Sequence, residues 1–191
     1  MPRRDDLETI MVLGSGPIKI GQAAEFDFSG SQAVRALRED GYKVILVNSN
    51  PATIQNDPEM ADIVYIEPLL PTTIAKILEK ERPCALLAGM GGQTALNIAS
   101  ELSHNGTLER LGVELIGSDL DAIDKAEDRE LFNKVCESIN LPISQAVACN
   151  SIDEVIAAAE LIGSWPILIR PAFTLGGLGG GTARDLSLIH I

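Results

Sequence analysis

The sequence predicts an α/β fold built on a parallel sheet, and three observations support this prediction. From Thr9 onward, short apolar segments alternate with stretches in which apolar residues recur at helical spacing. Several of the apolar segments end in glycine-rich loops. The 191 residues, 46% of them hydrophobic, suffice for one complete core and part of a second. We therefore expect a complete first domain, residues 1–118, followed by the beginning of another, residues 119–184.

Five strands and three helices are predicted in the first domain. The predicted strands are residues 9–13, 43–48, 62–66, 85–88 and 113–118. A helix is predicted from near Ser29 to just before Gly41, since glycine suits the position after a last helical turn. Further helices are predicted over residues 72–82 and from the loop 89–93 through Leu102. Strands that alternate with helices in this way are typical of a parallel sheet covered on both faces.

The second part of the chain has a different pattern. A charged helical stretch is predicted over residues 122–139, then a short strand over residues 145–149. Ser151 and Glu154 form a capping-box pattern that predicts a helix start, because the hydroxyl and the carboxylate can each accept an amide proton. A last strand, residues 166–170, leads into the glycine-rich segment at the end of the chain.

Composition excludes several function classes. With 27 acidic and 15 basic residues the net charge is −12, which argues against general attraction to nucleic acid or anionic membranes. No apolar run reaches the roughly 20 residues of a membrane helix, so a soluble cytoplasmic protein is expected. The three cysteines, Cys84, Cys136 and Cys149, lie far apart without a CxxC spacing, which predicts reduced thiols and no zinc framework.

Glycines after the first strand leave alternatives open. Gly14, Gly16 and Gly21 lie between a strand and a helix, but their spacing departs from a dinucleotide fingerprint, and the second strand ends in asparagines where an acidic residue would hold a ribose. These glycines, and those at 89–92, are either tight turns or the border of a ligand crevice. The polar stretch 48–62 is likewise either a functional loop or a solvated surface loop.

The segment after the last predicted strand has the composition of a polyphosphate site. Arg170 ends the strand, and five glycines follow between Gly176 and Gly181, so a fixed cation stands beside unobstructed backbone amides. The segment lacks the GK[ST] ending of a Walker loop. Arg129 is a second candidate; local pattern alone allows either a phosphate contact or helix salt bridges with Glu127 or Glu130.

Four blocks in order carry a resemblance to a known family. They are VLGSGPIKIGQAAEFDFSGSQAVRALREDGYKVILVNSNPATIQNDPEMADIVYIEP, MGGQTALN, AIDKAEDRELF and ILIRPAFTLGGLGGG. Together they closely resemble the amino-terminal part of the carbamoyl-phosphate synthase large subunit. The resemblance implies a Rossmann-like pre-ATP-grasp domain over residues 1–118 and the incomplete start of an ATP-grasp domain over residues 119–184. Residues 185–191 do not resemble the family and are expected to be a non-native tail.

The family resemblance implies an ATP-dependent ligase. Its first half makes carboxyphosphate from bicarbonate and ATP, ammonia from a glutaminase small subunit converts this to carbamate, and a second half phosphorylates carbamate for arginine and pyrimidine synthesis. Carried over by position, the family's ATP contacts fall on Arg129, Arg170, Gly176 and Gly177. No catalytic residue and no metal ligand is assigned in this chain. Ligands for Mg²⁺ or Mn²⁺ are expected beyond its end, the chain alone is expected to be inactive, and the full-length protein is expected to form an oligomer of heterodimers.

Two other functions are kept as alternatives. One is a different ATP-grasp ligase related to biotin carboxylase, against which the block GPIKIGQAAEFD speaks. The other is a non-catalytic nucleotide-binding module, which would account for a chain that lacks part of the ATP site.

Overall fold

The computed structural model describes residues 3–17, 25–171 and 179–190, and the chain divides into two compact units, Met1–Ile123 and Asp124–Ile191. The strands of the first unit are β1 (Thr9–Leu13), β2 (Lys43–Val47), β3 (Ile63–Tyr65), β4 (Ala85–Leu87) and β5 (Glu114–Ile116). Its helices are α1 (Phe26–Glu39), α2 (Pro71–Glu81), α3 (Gly92–His104) and α4 (Thr107–Leu111), with a 3₁₀ turn at Ile54–Asn56. A further helix, α5 (Leu120–Glu127), includes the division between the units. The predicted domain limits, 1–118, 119–184 and 185–191, stay predictions.

The five strands form one parallel sheet in the order β3-β2-β1-β4-β5, which confirms the predicted fold class. The chain builds outward from β1 to β3, then crosses back to place β4 on the other side of β1. This reversal leaves a switch point between β1 and β4, where ligands of open α/β sheets bind beyond the carboxyl ends of the strands.

Both faces of the sheet are buried, and alternate residues of each strand supply the two cores. Met11 and Leu13 of β1 belong to the larger cluster with residues of α2, α3 and α4, whereas Val12 packs in a second cluster with Val34 of α1. The two five-residue strands, β1 and β2, are therefore apolar and buried at every position after the first rather than alternating in polarity. That pattern identifies strands covered by helices on both faces.

The polar stretch 48–62 is anchored against the first unit rather than extended into solvent. Asn48 and Gln55 are fully buried and share a hydrogen bond of 3.0 Å from Asn48 Nδ2 to Gln55 Oε1. Gln55 Nε2 donates to the carbonyl of Phe26 at 2.9 Å, and Asn56 Nδ2 donates to the carbonyl of Asn50 at 2.6 Å. These contacts anchor the stretch through its buried polar side chains, while Pro51, Ala52, Ile54 and residues 57–59 are exposed to solvent.

The N-terminal segment is fastened to the edge strand β5. Arg4 Nη1 donates to Glu114 Oε1 at 2.6 Å and its Nη2 to Glu114 Oε2 at 2.8 Å, while Asp6 pairs with the same guanidinium. The amide of Arg4 also donates to the Tyr42 hydroxyl at 2.8 Å. Hydrogen bonds from Arg4 lower the pKa of both carboxyls.

The second unit contains α6 (Arg129–Ser138), α7 (Ile152–Ile162), β6 (Ile167–Ile169), β7 (Gly181–Ala183) and a 3₁₀ helix at Leu186–His190. The predicted start of α7 is confirmed: Ser151 Oγ accepts from the amide of Glu154 at 3.2 Å. Glu154 Oε2 in turn accepts from the amide of Asn150 at 2.7 Å, one residue earlier than in the usual capping box. The amide of Glu154 is thus satisfied as the sequence pattern predicts, whereas the carboxylate of Glu154 accepts from the residue before the cap.

Several predicted elements were wrong in extent or kind. Residues 145–149 form no strand in the structure; they are almost all exposed and pair with no other strand of the described chain, so their alternating apolar residues lack the partner that a strand needs. The helical stretch over 122–139 is two helices, α5 and α6, because Asp128 interrupts it. Helix α1 begins three residues before Ser29, and α4 was not predicted. Strand β7 was not predicted either, and the other predicted strands match the structure to within about two residues at each end.

In the described ranges, no helix has the combined length and apolar character needed to cross a bilayer.

The hydroxyl of Tyr65 in β3 joins two charged side chains of α2, and we expect this contact to make a pH-dependent contribution to stability. Tyr65 Oη donates to Glu81 Oε1 at 2.5 Å and accepts from Lys80 Nζ at 2.6 Å. The Tyr65 hydrogen bond holds the pKa of Glu81 below its ordinary value of 4.5. We expect Tyr65→Phe to lower the free energy of unfolding by about 1 kcal/mol at pH 7, since both charged partners lose a hydrogen bond.

The sign of the pH dependence follows from the lowered pKa. A carboxylate stabilised in the folded state contributes above its unfolded pKa, and the contribution disappears as the pH falls through the folded value. Urea unfolding should therefore show the difference between Tyr65→Phe and the parent protein shrinking below about pH 4.5. In a Glu81→Gln background the Tyr65→Phe effect should not vary over this range; a pH-dependent effect there would contradict the assignment to Glu81.

Candidate nucleotide-binding site

A β-hairpin in the second unit brings the two ends of the glycine-rich segment together. Strands β6 and β7 are antiparallel, and Ile169 lies opposite Gly181. Arg170 therefore leaves β6 at the point where the chain returns through Gly179 to β7. Gly179 has φ +71°, and a Cβ there would lie 3.2 Å from Pro171 Cγ, so this close return favours glycine.

Arg170 is exposed at the end of β6. Within the described residues its guanidinium takes part in no hydrogen bond or ion pair, so its donors remain available to a ligand. An arginine can present two parallel N–H groups to a phosphate, which suits this position next to glycine backbone. The arrangement therefore provides a cation and unobstructed backbone at one end of a hairpin.

Arg129 lies at the first position of α6, and its side chain reaches the same hairpin end. Its Nη1 donates to the carbonyl oxygen of Pro171 at 3.1 Å. The alternative of a helix salt bridge with Glu130 is not observed, since Glu130 pairs with Lys134 at 2.7 Å. The structure thus places Arg129 beside the residue that directly follows Arg170. Of the four predicted ATP contacts, these two arginines are brought together.

Gly176 and Gly177 lie outside the described residues. Their assignment as ATP contacts stays a prediction, as does the assignment of the two arginines to ATP.

Asp128 is a residue of this region that the sequence analysis did not single out. Its Oδ1 accepts from the amides of Glu130 at 2.8 Å and Leu131 at 3.0 Å, so it caps α6 directly before Arg129. An aspartate three residues before the first apolar residue of a helix is a recognised start signal. The sequence analysis did not detect this signal, because charged residues and helical spacing continue through the whole stretch 122–139.

Three glycines of the first unit, Gly14, Gly30 and Gly91, are explained by close packing within the protein. A Cβ on Gly14 would lie 2.8 Å from Gln55 Oε1, and one on Gly30 would lie 2.5 Å from Gln55 Nε2. A Cβ on Gly91 would lie 2.5 Å from the carbonyl oxygen of Leu13. The carboxamide of Gln55 therefore occupies the space beside Gly14 and Gly30.

A cavity of about 380 Å³ lies at the carboxyl edge of this sheet. Polar groups of Ser15, Ser49 and Thr94 line it together with the largely apolar segment 66–70. Its position beyond β1 and β3 agrees with the predicted crevice at the strand ends. Glu67 also lines it, which makes it a poor site for an anion.

Two family models match the chain in succession. The carbamoyl phosphate synthase preATP-grasp domain matches residues 6–125. The ATP binding domain of the carbamoyl-phosphate synthase L chain matches residues 128–190, which include Arg129 and Arg170. The first model alone covers more than half of the chain.

Curated relatives are similar over nearly all of the chain. The carbamoyl phosphate synthase large chain of Rubrobacter xylanophilus is 58% identical over 190 residues, covering 100% of this chain and 18% of its own length. Those of Synechocystis sp. and Archaeoglobus fulgidus are each 60% identical over 185 residues, covering 97% of this chain and 17% of their own lengths. The chain therefore spans less than a fifth of the length of these relatives.

Solved structures of low sequence identity share the fold of this chain. The biotin carboxylase domain of Hydrogenobacter thermophilus 2-oxoglutarate carboxylase, in complex with MgADP, ADP and bicarbonate, has a TM-score of 0.71 at 16% identity and covers 96% of this chain and 39% of that one. N5-carboxyaminoimidazole synthetase from Staphylococcus aureus has a TM-score of 0.61 at 12% identity, with 96% and 42% covered. At these identities the comparison supports the fold alone.

Proposed function

Since the chain belongs to the carbamoyl phosphate synthase large-chain family, we propose that it forms the amino-terminal part of an ATP-dependent ligase that makes carbamoyl phosphate from bicarbonate, ATP and glutamine-derived ammonia. The observation that carries the proposal is the match of both family models in order over residues 6–125 and 128–190. The second of these regions contains the arginine pair at the end of the β6–β7 hairpin.

The proposed reaction of this half is phosphoryl transfer from ATP to bicarbonate, which gives carboxyphosphate and ADP. Ammonia then displaces phosphate from carboxyphosphate to give carbamate. Phosphoryl transfer depends mainly on positioning and on stabilising the charge of the transferred group. In this chain Arg170 and Arg129 would bind and neutralise phosphate oxygens, and the glycines that follow would let backbone amides approach them. Gly176 and Gly177 are assigned to that approach.

Residues of the chain also fit the nucleotide in a simple chemical sense. Arg170 is exposed and unpaired among the described residues. The space beside the backbone of Gly181 is open, since a Cβ built there would meet no atom within 4 Å. When bound with ATP, Mg²⁺ or Mn²⁺ would supply neutralisation of the phosphates. In the described part of the chain no group of three acidic, histidine or cysteine side chains is placed to hold a metal ion. The protein ligands of the ion are proposed to lie beyond this chain.

Partners and location are proposed on the same basis. Family membership supports a glutaminase small subunit as the source of ammonia, an oligomer of heterodimers, and a role in arginine and pyrimidine synthesis. The free thiols of Cys84, Cys136 and Cys149 are compatible with a reducing compartment, which supports the cytoplasm.

The test of this function is a full-length large chain that carries this sequence at its amino-terminal end. Arg170→Ala should lower kcat/KM for ATP in bicarbonate-dependent ATP hydrolysis about 30-fold, equivalent to about 2 kcal/mol of lost transition-state stabilisation. The hydrolysis should be measured without ammonia, so that carboxyphosphate formation is observed separately from the later steps.

Arg184→Ala is the matched control. Arg184 follows β7 at the opposite end of the hairpin from Arg170 and is also exposed. Its replacement should leave kcat/KM for ATP unchanged. Equal activity of Arg170→Ala and the parent protein would contradict the proposed role, and ATP binding without any bicarbonate-dependent hydrolysis would favour a non-catalytic nucleotide-binding module.

A further inference from the structure

The start of α6 is fixed by one side chain. Asp128 has φ −84° and ψ 117°, outside the helical region, although its amide still donates to the carbonyl of Asp124 at 2.9 Å. Its own carbonyl accepts the amide of Phe132 at 2.8 Å, the first hydrogen bond of the next helix. Asp128 therefore ends α5 and begins α6 within a single residue.

The side chain of Asp128 stabilises this break. Its Oδ1 accepts both first-turn amides, from Glu130 and Leu131, at 2.8 and 3.0 Å. Those amides have no partner within a helix, and a capping carboxylate satisfies them and interacts favourably with the helix dipole. Without the cap, the chain loses the interaction that favours a new helix at this position over a frayed or continuous one.

The start of a new helix after Asp128 also sets the orientation of the Arg129 side chain, because Arg129 is the first residue of α6. A cation in the first turn of a helix is unfavourable for the helix itself, so helix stability does not explain an arginine there. The position instead carries the guanidinium to the end of β6, where Nη1 donates to the carbonyl of Pro171 at 3.1 Å. Asp128, Arg129 and Pro171 all belong to the second unit.

We propose that Asp128 is a positioning residue for ATP binding: by capping α6 it holds the Arg129 guanidinium at the end of β6, where the phosphates are expected to bind. This inference rests on the proposed role of Arg129 in the ligase. Asp128 itself contacts no phosphate in this proposal. It acts by limiting the directions that Arg129 can take before the nucleotide arrives, which reduces the ordering cost of binding.

Steady-state kinetics of bicarbonate-dependent ATP hydrolysis in the full-length large chain tests the proposal. Asp128→Ala should raise the KM for ATP about fivefold, the factor that corresponds to loss of a typical helix cap, with a smaller change in kcat. Asp128→Asn keeps an acceptor oxygen and caps equally well, so it should restore the parental KM. Asparagine that behaves like alanine would overturn the capping mechanism.

A second cap in the same unit serves as the control for general loss of stability. Ser151→Ala removes the hydrogen bond from the Glu154 amide to Ser151 Oγ, at the start of α7. This variant should leave the KM for ATP unchanged. A rise equal to that of Asp128→Ala would show that any weakened helix in the unit impairs ATP use, and would overturn the specific role of Asp128.

The double variant Asp128→Ala/Arg129→Ala distinguishes the positioning role of Asp128 from the proposed ligase function. If Asp128 acts through Arg129, Asp128→Ala should raise the KM less than about twofold when Arg129 is already alanine, since coupled residues are not additive. Full additivity would overturn this inference while leaving the ligase function intact. A parental KM in Arg129→Ala alone would overturn the role of Arg129, and this inference with it.

Discussion

Replacing Gly91 with alanine is expected to destabilise the first unit by about 3 kcal/mol, because the added methyl group would meet backbone atoms that cannot rotate away. A Cβ at this position would lie 2.5 Å from the carbonyl oxygen of Leu13 and 2.7 Å from that of Gly14. It would also lie 2.5 Å from Cβ of Ala95. These contacts lie between the carboxyl end of β1 and the start of α3. The added methyl group would therefore push the strand and the helix apart.

Gly89 provides the matched control two residues earlier in the same loop. A Cβ there would meet no atom within 4 Å. Urea unfolding followed by far-UV circular dichroism should show a much lower midpoint for Gly91→Ala and little change for Gly89→Ala. Equal midpoints for the two variants would contradict the steric explanation.

Gln55→Ala is expected to cost a similar amount, about 3 kcal/mol, by leaving both a cavity and unpaired polar groups. Gln55 is fully buried although it lies between two strands in a polar stretch. Its carboxamide accepts from Asn48 Nδ2 at 3.0 Å and donates to the Phe26 carbonyl at 2.9 Å. Truncation removes the partner of a buried amide and opens space beside Gly14 and Gly30.

Ile54→Ala is the matched control for Gln55→Ala, because Ile54 lies in the same 3₁₀ turn but its side chain is exposed. It distinguishes the loss of buried contacts from a change in the turn itself. The Ile54 side chain is 59% exposed, so Ile54→Ala should change the free energy of unfolding by no more than about 0.5 kcal/mol. Unfolding curves of both variants, with amide hydrogen exchange of residues 48–57, would locate the loss. A Gln55→Ala protein as stable as Ile54→Ala would show that the buried network contributes little.

The strands of the first unit were predictable because each is short, apolar and bounded by turn residues. Lys43–Val47, for example, follows Gly41 and ends at an asparagine, so both ends are marked in the sequence. The arrangement of the loop 48–62 was not predictable, because its polar residues have the composition of a solvated loop. Only the fold shows that Asn48 and Gln55 point inward and complete one another's hydrogen bonds.

The candidate site was predictable in part. Arg170 is identified by its place between a strand and a glycine run, and Arg129 only through family resemblance, since its neighbours Glu127 and Glu130 offer an equally plausible local explanation. The contact of Arg129 with Pro171 joins residues 42 positions apart, which no local pattern specifies. Asp128 was missed because its capping role depends on a backbone break that periodicity alone does not reveal.

The outer strands of the sheet also affect how the chain behaves toward other copies of itself. Unpaired strand edges can recruit further strands, and proteins limit this with short edges and charged side chains. Both outer strands, β3 and β5, are only three residues long. β5 begins with Glu114, which is held by Arg4. The sheet therefore ends in edges that offer few free backbone groups, and this protects a largely apolar sheet from aggregation through strand addition.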